Sequence, residues 1–356
     1  MHGLRYGTFH ELEVRGRSQE AEIAAFDNAL AQVELADQLG YASSWFVEHH
    51  FTRGFSHSSA PELVLASITQ RTKRIRLGFG VVLLPFAHPI RVVERIATLD
   101  ILSGGRIDFG TGKGASPLEY QAFKRPFEQS RELWEDHLDT VLEIMAADSR
   151  EVTLEGGEYY EVPGVSVLPR VIQKPSPPVW VASTTLDGFL AAARRGLHLL
   201  CMPILKGIDA LAEDIAEYKK CLAEHGFDPA ERRIGIMLPW HVAETQAEAD
   251  EAADAMLWYI RRQVNLIAPP GYMDAQHATQ KVFSQLEAGL SPERSMDLLR
   301  EHLMVMISDV ENSKQAVKRI AEAGATDVLG QFQVGGLDHE RVVRSMRLFA
   351  SEVAQL

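Results

Sequence analysis

The sequence holds two cysteines in 356 residues, Cys201 and Cys221. That is too few for a disulfide framework, and neither lies in a Cys-x-x-Cys or mixed Cys/His spacing that would hold a structural metal. A reducing cytoplasm is therefore the expected compartment. An excess of positive charge is also missing: Lys+Arg number 36 against 49 Asp+Glu, a formal net charge of -13. With no basic block and no aromatics interleaved among basic residues, nucleic acid is not an expected partner. No stretch approaches the roughly 20 apolar residues of a membrane-spanning helix, and Met1 to Arg5 carries no apolar signal core. Repeats, low-complexity tracts and linkers are absent too, so one domain over 1–356 is expected.

What is present is an alternation of short apolar runs with amphipathic ones. Leu4 to Phe9 reads as a first strand. Gln19 to Leu39 carries Ile23, Phe26, Leu30 and Val33 at helical spacing and is closed by Gly40. A second strand runs from the small residues Ala42 and Ser43 through Trp45 to Phe51. Further strands are expected at Arg74–Leu84, Arg106–Gly112, Val179–Ala182, Leu197–Met202, Arg233–Val242 and Asp327–Gln333. Helical patterns lie between them, at Glu62–Thr72, Ile90–Leu102, Glu128–Ala147, Leu186–Arg195, Gly207–His225, Glu248–Val264, 293–303 and 311–323, with His339–Ala354 last. Eight strands, each followed by a helix, close most naturally as a (β/α)8 TIM barrel with its active site at the carboxyl ends of the strands. Two insertions interrupt the rhythm: a proline- and valine-rich hairpin and loop over 148–178, and an irregular stretch, about 265–292, expected to form a mobile loop over the site.

Four stretches fall at strand ends of this scheme. Glu48, His49 and His50 end the second strand; alternation along a strand puts Glu48 and His50 on one side and His49 on the other. Gly78 and Gly80 in the third strand mark close approach of a backbone or a flat ligand. Gly110-Thr111-Gly112-Lys113-Gly114-Ala115 combines free amides with one cation, which suits a phosphate, although it is neither a Rossmann fingerprint nor a P-loop. Ser183-Thr184-Thr185-Leu186-Asp187-Gly188 offers hydroxyls and amides at a helix N-terminus, a second anion-holding feature. Together they describe a flat cofactor with a phosphate tail. Phe9, Phe55, Phe79 and Phe86 point to a small hydrophobic substrate.

These residues resemble the bacterial-luciferase-like flavin monooxygenases over nearly the whole chain. Trp45 to Phe51 resembles that family's Trp-x-x-Glu-His-His-Phe, Leu84 to Arg91 its Leu-Pro-x-x-His-Pro-x-Arg, and Leu99 to Gly110 its Leu-Asp-x-x-Ser-x-Gly-Arg-x-x-Phe-Gly. The resemblance implies reduced FMN delivered by a separate flavin reductase, molecular oxygen as co-substrate, a C4a-peroxyflavin that inserts one oxygen atom into an organic substrate, and a homodimer or related heterodimer. It makes His49 the catalytic histidine and puts Glu48 beside the flavin ring. Gly80 and Val81 match the position of a non-prolyl cis peptide under that ring. Lys113, with Gly114 and Ala115, stands where luciferase has an arginine on the phosphate, and Thr184, Thr185 and Gly188 match the amide-rich phosphate turn. Three rival readings are a deazaflavin-dependent hydride-transfer enzyme on the same barrel, a flavin-binding subunit without turnover, and a metal-dependent hydrolase using Glu48, His49 and His50. The resemblance itself implies no metal.

Overall fold

Each apolar run pairs with the next as a parallel strand, and the set closes on itself. The computed structural model describes residues 3–16, 18–147, 152–154, 162–267 and 290–355. Its strands are β1 (Arg5–His10), β2 (Ser43–Phe46), β3 (Arg76–Phe79), β4 (Val82–Leu83), β5 (Ile107–Gly112), β6 (Val152–Leu154), β7 (Val162–Val165), β8 (Val179–Ala182), β9 (His198–Cys201), β10 (Ile234–Ala243), β11 (Met306–Asp309) and β12 (Asp327–Gln331). Eight of them form the closed parallel barrel, in the order β1, β2, β3, β5, β8, β9, β10, β12 and back to β1. Helices run between the strands on the outside, the architecture of a (β/α)8 TIM barrel. The first helix spans Gln19–Leu39, begins at Ser18, whose hydroxyl accepts from Ala21 N (3.2 Å), and ends at Gly40 in the left-handed region, where a glycine carries no Cβ penalty.

Four departures from the sequence reading have physical causes. The second strand stops at Phe46, so Val47 to Phe51 already belong to the exit loop. The third strand breaks at the cis peptide Gly80-Val81, leaving β3 and the two-residue β4, which pairs with β5. The strand β11, unforeseen between two helices, extends the second half of β10 in parallel; an apolar run this short has no periodicity of its own. Finally, a six-residue helix, Pro117–Ala122, follows β5. Within 148–178, β6 and β7 pair antiparallel, with a register shift between Val152 and Leu154. The irregular stretch around 268–289 lies outside the described residues. Among the described residues no helix is long and apolar enough to cross a membrane.

The barrel interior is filled rather than hollow. Trp45 and Trp180 meet edge-to-face with ring centroids 5.2 Å apart, amid Phe9, Leu200, Met237 and Leu329. Both indoles are tied: Trp45 Nε1 donates to Ser43 Oγ (2.9 Å) and Trp180 Nε1 to Asp108 Oδ1 (3.0 Å). This layer explains Gly78. A Cβ there would lie 2.2 Å from Trp45 Cε3, so the flat group against it is the protein's own indole. The carboxyl ends of the strands open above these rings.

Candidate active site

A cavity of about 350 Å³ sits at that mouth. Glu48, His49, Gly80, Val81, Lys113, Gly114, Ala115, Thr184, Thr185 and Gly188 all line it, so residues spread over 140 positions converge on one space. Phe9 and Phe55 join them from the expected aromatic set. Phe79 and Phe86 do not: Phe79 is buried in the core that the strands share with the surrounding helices, and Phe86 stacks on Phe123 (4.9 Å) outside the cavity.

The wall over β3 to β5 is kept low by two glycines beside Val81 and Leu83. A Cβ on Gly80 would lie 2.7 Å from Phe9 Cε2, and one on Gly112 would lie 3.0 Å from Val81 Cγ2. Glu48 braces this wall. Its Oε2 accepts from the Leu83 amide (3.0 Å) and its Oε1 lies 3.1 Å from His50 Nε2. Glu48 and His50 thus share a side and are engaged with each other, although they lie in the exit loop rather than on the strand, while His49 turns away between two other carboxylates.

Those two carboxylates were not foreseen. Glu119, 1 % exposed, accepts from the His50 amide (2.9 Å) and stands 3.6 Å from His49 Nδ1. Glu11, 3 % exposed, stands 3.9 Å from His49 Nε2. Burial opposes charge on the imidazole, but the Glu119 contact and the Glu11 and Glu48 charges outweigh it, and His49 is held above its ordinary value. Glu11 itself is pushed up to about 7, chiefly by burial, with His49 and then Tyr259 acting against the rise. Glu11 was legible in principle, since it leaves the carboxyl end of β1. Glu119 carried no signal, being one acidic residue in a short helix that was not expected.

The opposite side of the cavity is cationic. Lys113 Nζ donates to Ser130 Oγ (3.3 Å), lies 5.4 Å from the Phe127 ring centroid, and has no carboxylate in ion-pair reach among the described residues. Burial first, then the nearby Arg131 guanidinium, lower its ammonium from the ordinary value. Arg131, also unforeseen, lines the cavity and only loosely meets Glu135, at 3.7 Å. Gly114 sits at φ +76, which turns the chain after Lys113. Facing them, Thr185 caps the helix Leu186–Arg194 by accepting from Gly188 N (3.4 Å), and Ser183 Oγ accepts from Thr185 N (3.1 Å). A Cβ on Gly188 would fall 2.0 Å from Ser183 Oγ, so the turn closes only around glycine. Two cations without a buried counter-charge, beside a helix N-terminus, fit a phosphate dianion.

The metal-site reading needs Glu48, His49 and His50 to converge, and they do not: two are spent on each other and the third faces Glu11 and Glu119. Among the described residues no group of three or more His, Cys, Asp and Glu could hold a metal ion.

Comparison with known proteins gives a consistent result. A family model described as luciferase-like monooxygenase matches residues 4–327. The chain is 27 % identical over 279 residues to the oxygenase component of a flavin-dependent trigonelline monooxygenase from Acinetobacter baylyi, covering 75 % of this chain and 76 % of that protein. Its fold is similar to that of the monooxygenase RslO1 from Streptomyces bottropensis, with a TM-score of 0.84, 25 % identity and 99 % of each chain covered. It is also similar in fold to an F420-dependent secondary alcohol dehydrogenase, with a TM-score of 0.75, 19 % identity, and 99 % of this chain and 98 % of that one covered.

Proposed function

The chain belongs to the luciferase-like monooxygenase family, and from that premise we propose that it is the FMN-dependent oxygenase of a two-component system. Reduced FMN comes from a separate flavin reductase, molecular oxygen is the co-substrate, and one oxygen atom passes to a small hydrophobic organic substrate. The protein acts in the cytoplasm as a single-domain barrel, in a homodimer or related heterodimer. The observation that carries this reading is the shared cavity: an anion-holding side, a low glycine wall and an imidazole placed to pass a proton lie within one space of about 350 Å³.

Bound and reduced, FMN supplies the electrons that activate oxygen. The chain's residues do the rest. Lys113 and Arg131 would hold the phosphate beside Thr184, at the helix N-terminus whose turn Thr185 and Gly188 close. Gly114 and Ala115 keep the loop beside it clear of side-chain bulk. Gly80 and Val81 offer a surface on which a ring can lie, and Glu48 fixes that surface through the Leu83 amide. His49, held above its ordinary value by the Glu119 contact and the Glu11 and Glu48 charges against burial, is the group placed to pass a proton to an oxygen atom at the reacting centre. Phe9, Val81, Leu200 and Met237 keep water from that centre.

The second reading is hydride transfer with a deazaflavin, since the same barrel serves an F420-dependent dehydrogenase. Incubation with reduced FMN, a flavin reductase and ¹⁸O₂ against a panel of aldehydes, ketones and terpenoids tests the choice. One labelled oxygen atom per product is expected. Oxygen-independent turnover with F420, and none with FMN, would replace the proposal with the second reading.

A further inference from the structure

Behind His49 a chain of buried polar groups leads away from the cavity. Glu11 stands 3.9 Å from His49 Nε2, and the hydroxyl of Tyr259 lies against the same carboxyl group. Tyr259 also meets Gln331, whose Nε2 donates to Glu13 Oε1 (3.3 Å), while the Gly336 amide donates to Glu13 Oε2 (3.3 Å). Glu11 and Glu13 follow β1, Gln331 ends β12, and Tyr259 comes from the helix Ala253–Ile267, so three elements meet here. Two atoms of the chain answer each other. Glu11 Oε2 is an enclosed acceptor and the Tyr259 hydroxyl an enclosed donor, and neither is held by a hydrogen bond of full geometry elsewhere among the described residues. Leaving a buried polar group unpaired costs more than a net bond returns, so neighbours of opposite kind close on each other. The phenol ring is fixed by packing as well: it stacks on Phe55 (5.4 Å), which lies 5.9 Å from the His49 ring.

We propose that Tyr259 is a positioning residue for His49: its hydroxyl donates to Glu11 and holds that carboxylate, in its charged form, at Nε2. The inference rests on the reading of His49 as the group that passes a proton, and it names a residue that acts through Glu11 without touching cofactor or substrate. Glu11 alone is a poor partner for an imidazole. Burial drives it toward the neutral form, with His49 and Tyr259 acting the other way, and a neutral carboxyl brings no counter-charge. The phenol supplies the donor that water would supply outside, and admits no water in doing so. The charged and titratable groups facing His49 are Glu119, Glu11 and Glu48; those facing Glu11 are His49, Tyr259 and Glu13.

Imidazole titration followed by NMR on the purified chain tests this. The His49 resonance is the one, of 13 histidines, that is missing from His49→Gln. Tyr259→Phe keeps the ring on Phe55 and removes only the hydroxyl. Its His49 midpoint is expected below the parent's and above that of Glu11→Gln, in which no carboxylate stands at Nε2. The Glu11 carboxyl, followed by its side-chain carbon, should titrate at least about one pH unit higher in Tyr259→Phe, the size of a hydrogen bond to a charged group. In the Glu11→Gln background the same substitution should leave His49 unmoved, because no charge remains there for the hydroxyl to hold. Equal His49 midpoints in the parent and Tyr259→Phe overturn the proposal. So does an equal fall in both backgrounds, which would make Tyr259 a packing residue alone. No turnover is measured, so this failure is distinguishable from failure of the monooxygenase reading, which the ¹⁸O₂ experiment decides.

Discussion

His49 is held above its ordinary value, against burial, by carboxylates that reach it from different segments, Glu119 at Nδ1 and Glu11 at Nε2. Removing the imidazole takes away the proton but not the phosphate-holding side. His49→Ala is therefore expected to bind FMN as the parent does while oxidising substrate about 10²–10⁴-fold more slowly, the span of general acid–base catalysis. Hydrogen peroxide release should rise in proportion. Unchanged product formation would remove His49 from the chemistry. Lys113→Ala is expected to weaken FMN binding by about 1.5–3 kcal/mol, the range for a hydrogen bond to a charged group; superimposable flavin titrations of variant and parent would reject the phosphate role. At this scale the sequence was informative about residues whose type is itself a signal, a histidine pair after an apolar run or a lysine among glycines. It was silent on Glu119 and Arg131, which enter the site from a short helix and from the start of the helix Ser130–Ala146. No local pattern distinguishes either from an ordinary surface charge.

At the scale of elements, the strand and helix alternation was legible because a parallel strand covered on both faces reads as a continuous apolar run. The boundaries were less so. The second strand was read through to Phe51, but the chain leaves the barrel after Phe46, and Glu48, His49 and His50 stand in the exit loop. The glycines of β5 show why that stretch is spelled as it is. A Cβ on Gly110 would lie 1.9 Å from the Phe79 carbonyl oxygen, a backbone atom that no rotamer change can move. Gly110→Ala is thus expected to cost at least about 3 kcal/mol, the upper end of overpacking, because relief requires shifting β3 itself. Urea unfolding followed by circular dichroism reads this directly, and a midpoint within error of the parent would show that the two strands can part without loss. Gly112 differs: its clash is 3.0 Å to a Val81 methyl, a side-chain atom that can yield.

Across the whole molecule, burial has set ionisable groups of opposite kind against each other. His10, stacked on Phe46 at 4.7 Å, is pushed down to about 3 by burial. His198 falls to about 4 through burial and then the charges of Arg233 and Arg232, and His241 to about 4 through burial and then Arg341 and Arg344. A base depressed in the folded state contributes stability that is whole above its ordinary value of 6.5 and is lost as the pH falls. Glu11 has the opposite sign. Raised from 4.5 to about 7, it contributes stability that is whole below pH 4.5 and lost as the pH rises through 7, and Glu13, pushed well above its ordinary value by burial and by Glu11, acts in the same direction. The two sets offset each other between about pH 5 and 7, and removal of one member exposes the balance. Glu11 faces His49, Tyr259 and Glu13, and Glu11→Gln keeps its shape without its titration. The variant is expected to gain on the parent by about 3 kcal/mol as the pH rises from 4.5 to 7, which is 2.5 units at 1.36 kcal/mol each. Urea unfolding of both proteins at pH 5, 6, 7 and 8 checks it. A difference that stays constant across that range would mean that Glu11 titrates as an ordinary carboxyl, and that the pairing with His49 contributes nothing to the proton held at the site.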